Sequence, residues 1–178
     1  MMGQCYSCAT LTKRPKHCKG TRMNSVEQLR KILKQGRTIA VVGLSAEWSR
    51  PSYFAAKYMQ EHGFRIIPVN PRYAASATPI LGERCYADLG EIPEPVDIVD
   101  VFRRSEDVLP IAQQAVQIGA KCLWQQIGVM NLEADELVRG SGLESVMDRC
   151  VKIEYARLFG GLNLVGVDTK IISAKRPH

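Results

Sequence analysis

The sequence lacks the features that would place it in a membrane or a secretory pathway. None of its apolar runs reaches the length of a membrane span, and no apolar segment of a secretory signal peptide is present. We therefore expect a cytoplasmic protein. Hydrophobic residues make up 46% of the 178 positions, which predicts one domain with a sizeable buried core.

Catalytic motifs are also scarce. The chain contains no Walker loop, no Gly-x-Ser-x-Gly turn and no His-Glu-x-x-His helix. Its three histidines are His17, His62 and His178, and none follows a predicted strand. Asp100 lies near a strand end, where we favour a buried carboxylate bonded to backbone over a catalytic one. We expect no catalytic residue and leave open whether any reaction is catalysed.

The net charge of +6 is unevenly distributed. Residues 1–37 carry nine Lys/Arg and one Asp/Glu, whereas residues 38–178 carry fifteen Lys/Arg and seventeen Asp/Glu. A basic arm can bind nucleic acid or simply be solvated. No cluster of aromatic residues accompanies this arm, so we expect no nucleic acid partner.

Residues 1–22 form a basic N-terminal extension to a domain predicted over 23–178. The extension contains four potential zinc ligands, namely Cys5, Cys8, His17 and Cys18. Two of them are adjacent, which makes one tetrahedral site difficult, and we expect no metal. A transit peptide and a disordered extension ahead of a start at Met23 remain open. We expect Cys85, Cys122 and Cys150 to be free buried thiols.

The rest of the chain alternates strands and helices. Predicted strands cover 38–43, 65–71, 96–102, 121–126 and 144–150. Predicted helices run from Ser25 to Gly36, from Pro51 to Gly63, from Ser105 as a cap, and over 131–140. Crossovers of this length predict an α/β protein: a Rossmann-like, doubly wound parallel sheet of about five strands in three α/β/α layers.

Three details of these elements are specific enough to test. Pro68 should make its strand short or irregular. Phe54 should join Ala55, Tyr58 and Met59 on the buried stripe of its helix. The segment 72–95 should be one long loop.

Ligands of such a sheet bind beyond the carboxyl ends of the strands. After the first strand, Gly43 and Ser45 precede the helix that begins at Pro51, and Arg50 and Ser52 add a charge and a hydroxyl. A helix N-terminus with these donors is an anion site. An ordinary loop with capping serines remains the alternative.

The turn after the second strand argues against NAD. NAD-binding folds place an acidic residue there for the ribose hydroxyls, whereas this chain has Asn70, Pro71 and Arg72. An arginine attracts a phosphate, so NADP and coenzyme A both fit. After the third strand Phe102 and Arg103 could flank an adenine or a pyrophosphate.

These segments resemble the small bacterial CoA-binding domain proteins, a family related to the N-terminal domain of the succinyl-CoA synthetase alpha subunit. The matching pieces are "VVGLS" with "RPSY", "IIPVNP", "ILGERCYADLGEIPEPVDIVDVFRR", "GAKCLWQQIGV" and "VMDRC". The resemblance implies a CoA site at Gly43, Leu44, Ser45, Asn70, Pro71, Arg72, Val101, Phe102, Arg103, Gln126, Gly128 and Val129. The phosphorylated histidine of the synthetase lies in a further domain that has no counterpart here, so ligase activity is not implied.

The sequence thus predicts a protein that binds CoA or acyl-CoA as a non-catalytic carrier, sensor or regulator. An NADP-binding oxidoreductase and a nucleic-acid-associated protein that uses the basic arm are the alternatives. The single glycine of the first turn and the lack of an obvious proton donor argue against the oxidoreductase.

Overall fold

The computed structural model describes residues 24–160 and contains one five-stranded parallel sheet. The strands are β1 (Thr38–Val42), β2 (Arg65–Val69), β3 (Ile98–Val101), β4 (Cys122–Gln125) and β5 (Glu144–Val146). Their order is β2-β1-β3-β4-β5, so the direction of strand addition reverses between β1 and β3. The predicted Rossmann-like fold is confirmed. The basic extension and its Cys and His residues lie outside the described residues.

Six helices cover both faces of this sheet. They are α1 (Val26–Gln35), α2 (Pro51–Glu61), α3 (Pro71–Ala75), α4 (Val108–Gln117), α5 (Leu132–Gly140) and α6 (Val151–Phe159). Helices α1, α2 and α6 contribute to one apolar cluster, and α4 and α5 contribute to the other. The central strands are buried on both sides, which explains why they read as continuous apolar runs. Over residues 24–160 no helix is both long and apolar enough to span a bilayer.

The prediction that Pro68 would disrupt its strand is wrong. Strand β2 has five residues, as many as β1, and Pro68 stands in register opposite Val41. The reason is the position of β2 at the edge of the sheet, which the sequence does not reveal. The Pro68 carbonyl points outward, where it accepts from the Tyr86 amide at 3.0 Å, so its missing N–H costs no bond to β1.

Four local predictions also differ from the structure. Ser105 does not cap a helix: it begins a short 3-10 turn before α4, and its Oγ accepts from the Met130 amide at 2.9 Å. Phe54 is 45% exposed and lies outside the buried stripe. The predicted loop 72–95 begins inside helix α3, which Asn70 caps. The last predicted strand ends at Val146, and α6 follows it.

Candidate functional site

A large cavity lies at the carboxyl ends of β1, β3 and β4, next to the point where the strand order reverses. Its volume is about 990 Å³, at the upper end of the range of roughly 300–1,000 Å³ for small-molecule sites. The loops after β1, β2, β3 and β4 contribute to its wall, together with the first turns of α2 and α6. We call it the main cavity. It occupies the place where doubly wound sheets bind their ligands.

The structure brings most of the predicted site residues to this wall. From the first turn come Gly43, Ser45, Arg50 and Ser52, and from the second come Asn70, Pro71 and Arg72. The third and fourth turns contribute Phe102, Arg103, Gln126 and Val129. Three predicted residues do not contribute. Leu44 and Val101 are fully buried in the core, and Gly128 lies beyond the lining.

Gly43 is needed for contact within the protein. Its φ is +89°, and a Cβ at this position would lie 2.6 Å from the Phe102 carbonyl oxygen. The same Cβ would lie 3.1 Å from Nε of Arg103, so this side chain sits directly over the turn. A positive φ and a close backbone both require glycine. The first turn is therefore packed against the loop after β3, with a guanidinium at the contact.

Two serines of the first turn have different surroundings. Ser52 is buried, and its Oγ accepts from the Ser45 amide at 3.2 Å, so it shapes the loop. The Ser45 hydroxyl lies at the cavity wall, 3.3 Å from the Tyr73 hydroxyl, and it accepts from the Glu47 amide at 3.1 Å. Ser45 therefore presents a hydroxyl that is already oriented toward α3.

Asn70 joins the first and second turns. Its Nδ2 donates to the Leu44 carbonyl at 2.9 Å, and its Oδ1 accepts from the Arg72 amide at 3.2 Å. The Arg72 side chain leaves α3 on the surface, with its guanidinium carbon 5.6 Å from the centroid of the Tyr73 ring. Asn70 thus positions both turns, and Tyr73 supports the arginine.

The three arginines of the wall differ in their ion pairs. Nε of Arg50 lies 3.0 Å from Oε2 of Glu47, an exposed pair within one loop. Arg72 and Arg103 form no salt bridge with any residue that the structure describes. Two positive charges therefore line the cavity without a carboxylate partner in the described part of the chain, and one of them, Arg103, lies over Gly43.

A buried carboxyl group, that of Asp100, lies behind Gln126 of the cavity wall. Burial raises the pKa of Asp100 to about 7, although a hydrogen bond from the side chain of Gln126 opposes the rise. Nε2 of Gln126 donates to Oδ1 of Asp100 at 2.7 Å. The expectation of a buried Asp100 is confirmed, but its hydrogen-bond partner is this side chain and not the backbone. Gln126 separates the carboxyl from the cavity.

The wall formed by α6 was not predicted from the sequence. Cys150, Lys152 and Ile153 reach the cavity from the start of this helix, and Phe54 faces them from α2. Apolar residues at Val151, Tyr155 and Leu158 follow a helical spacing that could have revealed α6. Nζ of Lys152 lies 5.3 Å from the Phe54 ring centroid and 5.9 Å from that of Tyr58.

A smaller cavity opens beside the main one. We call it the side cavity. Its volume is about 420 Å³, and it shares Pro71 and Arg103 with the main cavity. Val42 and Val69 form its inner end, and Ile111 of α4 forms one side. Besides Arg103, the polar side chains of Asp88, Asp107 and Gln114 line it. Arg103 therefore borders both cavities.

The cysteines and acidic residues do not form a metal centre in the described range. No group of three or more His, Cys, Asp or Glu side chains is arranged to hold an ion over residues 24–160. Cys85 and Cys122 are buried free thiols, as expected, whereas Cys150 is half-buried. Burial raises the pKa of the Cys150 thiol. This group is therefore neutral at physiological pH.

Comparisons with known proteins agree with this geometry. A family model described as the CoA binding domain matches residues 37–156. The uncharacterized protein YneT of Bacillus subtilis is 39% identical over 132 residues, which cover 74% of this chain and 95% of YneT. A solved structure of a hypothetical protein from Pyrococcus horikoshii is 34% identical with a TM-score of 0.73, and the match covers 80% of this chain and 99% of that one.

A larger enzyme contains a similar segment. The ADP-forming acetate–CoA ligase II of Archaeoglobus fulgidus is 27% identical over 133 residues, which are 74% of this chain but 19% of the ligase. The resemblance stated from the strand-end segments is thereby confirmed. The chain belongs to the CoA binding domain family.

Proposed function

We propose that the protein binds CoA or an acyl-CoA in the main cavity and acts as a carrier, sensor or regulator. The observation that supports this most is the pair of arginines at the cavity wall, Arg72 and Arg103, which have no carboxylate partner among residues 24–160. CoA carries a pyrophosphate and a 3′-phosphate close together. Two guanidinium groups on the turns after β2 and β3, at the wall of one cavity, suit that charge distribution.

The phosphates would lie against the first turn and the start of α2. This helix has no side-chain cap. Pro51 has no amide, and the amides of Tyr53 and Phe54 donate to the Arg50 carbonyl, so the Ser52 amide and the positive dipole end would receive the anion. Ser45 adds a hydroxyl, and Arg103 adds a charge directly over Gly43. Arg72, on the neighbouring turn, would contact the 3′-phosphate of the ribose.

The side cavity would accept the adenine. Its inner end is apolar, and the carboxylate of Asp88 and the amide of Gln114 could bond the edge of a base. Arg103 lines both cavities, which places a cation between the base and the phosphates. This agrees with the interpretation of Phe102 and Arg103 from the sequence.

The pantetheine arm would extend across the main cavity toward α6. Phe54, Ile127 and Val129 provide apolar wall in that direction. The groups at this end are poor catalysts: the carboxyl of Asp100 lies behind Gln126, and burial raises the pKa of Cys150. These features favour binding without chemistry.

The test compares CoA, dephospho-CoA and NADP by isothermal titration of the purified full chain. We expect CoA to bind about tenfold or more tightly than dephospho-CoA, because a charge-assisted contact contributes roughly 1.5–3 kcal/mol. Arg72→Met should remove this difference. Arg104→Met is the matched control, since that exposed arginine pairs with Glu106 and does not line the main cavity. Tight NADP binding without CoA binding would overturn the proposal.

A further inference from the structure

We infer that Gln126 contacts the ligand of the main cavity through its side-chain amide, and that Asp100 behind it links this contact to the uptake of a proton. This inference rests on the proposed binding of CoA and adds a regulation of the same site. It starts from a polar pair at the cavity wall to which the proposed binding assigns no role.

The Gln126 side chain offers an unused hydrogen-bonding atom to the cavity. The residue lines the main cavity although it is only 4% exposed. Nε2 donates to Asp100, and Oε1 has no hydrogen-bond partner among residues 24–160. In that range Oγ of Ser145 is the one fully enclosed side-chain polar atom without a partner, so Oε1 of Gln126 opens onto the cavity. A ligand that fills the cavity therefore replaces water at this amide.

The Asp100 carboxyl depends on Gln126 for its hydrogen bonding. Its side chain is 1% exposed and bonds no other residue in the described part of the chain. It stands in register between Val41 of β1 and Trp124 of β4, which are both buried. A carboxylate that has lost its water and has one donor is costly. Any change at Gln126 is therefore transmitted directly to this carboxyl.

No charged side chain among residues 24–160 stabilises the Asp100 carboxylate. Burial raises its pKa to about 7, and the opposing effect comes from the hydrogen bond with Gln126. The cations of the main cavity make no contribution; they are Arg50, Arg72, Arg103 and Lys152. A modest change in the surroundings of this group consequently changes its charge near neutral pH.

Two thiols are the titratable groups close to Asp100. Cys122 lies on the neighbouring strand β4, and Cys150 precedes α6 at the cavity wall. Burial raises the pKa of both thiols, and the Asp100 carboxylate adds to each rise. Helices α1 and α2 contribute apolar residues to this side of the sheet. Both thiols stay neutral near pH 7, so the proton that responds to a ligand is the one on Asp100.

Three effects of bound CoA favour the protonated carboxyl. The phosphates bring negative charge into the cavity, and the ligand removes water from the Gln126 amide. A protonated Asp100 can also donate its O–H to Oε1 of Gln126, which turns the amide over and presents Nε2 to the ligand. Phosphates and carbonyls accept hydrogen bonds, so this orientation suits CoA. All three effects have the same sign, and binding should take up a proton.

The experiment is isothermal titration of the full chain with dephospho-CoA at pH 6 and pH 8.5, in buffers that differ in ionisation enthalpy. Dephospho-CoA is used because the 3′-phosphate of CoA itself titrates near neutral pH. Binding should be roughly threefold or more tighter at pH 6, since a pKa that rises on binding favours the complex at low pH. The buffer dependence of the heat should show proton uptake. Asp100→Asn stays neutral throughout and should remove both effects.

Gln126→Met should weaken the binding of dephospho-CoA about two- to tenfold at pH 6, because one hydrogen bond to the ligand is lost. His62→Gln is the matched control: imidazole commonly titrates in this range, but His62 is exposed and does not line the main cavity. It should leave the affinity and its pH dependence unchanged.

A wild-type protein that binds dephospho-CoA without taking up a proton would overturn the inference while leaving the proposed function intact. The same holds for an Asp100→Asn protein that keeps the pH dependence, and for a Gln126→Met protein with wild-type affinity. Absence of binding by both CoA and dephospho-CoA at either pH would remove the proposed function as well.

Discussion

The two ends of the sheet use charge in opposite ways. At the amino ends of the strands the charges are paired: Nζ of Lys121 lies 2.6 Å from Asp97, and Arg65 bonds Glu83 and Glu94. At the carboxyl ends, Arg72 and Arg103 face a cavity without such partners among the described residues. At the carboxyl ends Arg50 and Arg104 do have acidic partners, Glu47 and Glu106, so Arg72 and Arg103 are the cavity-lining arginines that remain ready for an anion in the described range. Stability and binding are therefore assigned to different ends of the same strands.

Two carboxyl groups three residues apart show the contrast within one strand region. Burial raises the pKa of Asp97, but bonds from Lys121 and from the amides of Arg37 and Thr38 outweigh it and lower the pKa overall. Burial raises the pKa of Asp100, and the single hydrogen bond from the side-chain amide of Gln126 does not offset that rise. The same residue type thus stabilises one end as an anion and is disfavoured as an anion at the other.

The largest effect on stability and binding should come from placing a side chain in the tight turn after β1, at the carboxyl ends of the strands. Gly43→Val forces a β-branched residue to φ +89° and puts its Cβ against the Phe102 carbonyl. We expect the free energy of unfolding to fall by about 3 kcal/mol or more, and CoA binding to be lost. Urea denaturation and isothermal titration measure the two effects.

Gly63→Val, just before the amino end of β2, is the matched control. Gly63 has φ +86°, but no heavy atom lies within 4 Å of the position that a Cβ would take there. We expect only the conformational cost of about 1–2 kcal/mol and unchanged CoA affinity. A Gly43→Val protein that kept wild-type affinity would contradict both the collision and the placement of phosphates at this turn.

The next effect concerns the pH dependence of stability. The folded protein holds a proton on Asp100 up to about pH 7, whereas the unfolded chain loses it near the ordinary value of 3.8. Wild-type stability should therefore decrease as pH rises between those values, because the folded state holds this proton more tightly than the unfolded chain does. Asp100→Asn should remove that decrease, since an amide oxygen can still accept from Gln126. Urea titrations at pH 4 to 8 measure the difference.

Asp97→Asn should show the opposite sign. Its lowered folded pKa gives stability that is present at neutral pH and is lost as pH falls through the acidic range. The variant should be less stable than wild type at pH 7 and match it at low pH. Parallel curves for the two Asn variants would contradict the assignment of the two ends.

A smaller effect, on CoA affinity, should distinguish an arginine at the carboxyl ends of the strands from one at their amino ends. Arg103→Met should weaken CoA binding by roughly 1.5–3 kcal/mol, because one charge-assisted contact with a phosphate is lost. Arg65→Met breaks exposed pairs with Glu83 and Glu94 and should change stability by about 1 kcal/mol or less. It should not change the affinity. Equal losses of affinity would mean that the effect is general screening and not contact.

The smallest effect belongs to a neutral hydroxyl. Ser45→Ala should weaken CoA binding by only about 0.5–1.5 kcal/mol, the net contribution of one uncharged hydrogen bond. Ser141→Ala is the control: the Ser141 hydroxyl donates to the Leu137 carbonyl. It should leave the affinity unchanged. A loss of CoA affinity for Ser45→Ala as large as that for Arg103→Met would contradict this prediction. It would indicate that the hydroxyl orders the whole loop.

Much of the fold could be predicted because buried parallel strands and capped helices leave clear patterns. The run Thr38–Val42 and the cap at Ser25 both appear as expected. Strand order does not appear in a sequence, which is why Pro68 was misjudged. Helix α3 has five residues, too few for a repeating apolar pattern, so only Asn70 followed by Pro71 marked its start. Helix α6 was missed because the segment before it was interpreted as strand.

The site was predictable where it depends on strand ends and not where it depends on packing. In a parallel sheet all strands end at the same side, so Gly43, Asn70 and Arg103 could be predicted as site residues from their positions after strands. Neighbouring residues point in alternate directions, so Leu44 and Val101 entered the core instead. Lys152 reaches the cavity only because α6 packs beside α2, a tertiary contact that one sequence does not report.

The outward-facing backbone of β2 has a consequence for self-association. Sheet edges normally offer free amides and carbonyls on which a strand of another molecule can dock and from which fibres grow. Here Pro68 has no amide to offer, its carbonyl is taken by the Tyr86 amide, and the Asn70 amide donates to the Tyr86 carbonyl at 2.9 Å. The outer side of β2 near its carboxyl end is thus unavailable to a strand of another molecule. Pro68 would disrupt a central strand, but on the edge strand β2 it hinders the docking of a strand from another molecule and so opposes aggregation.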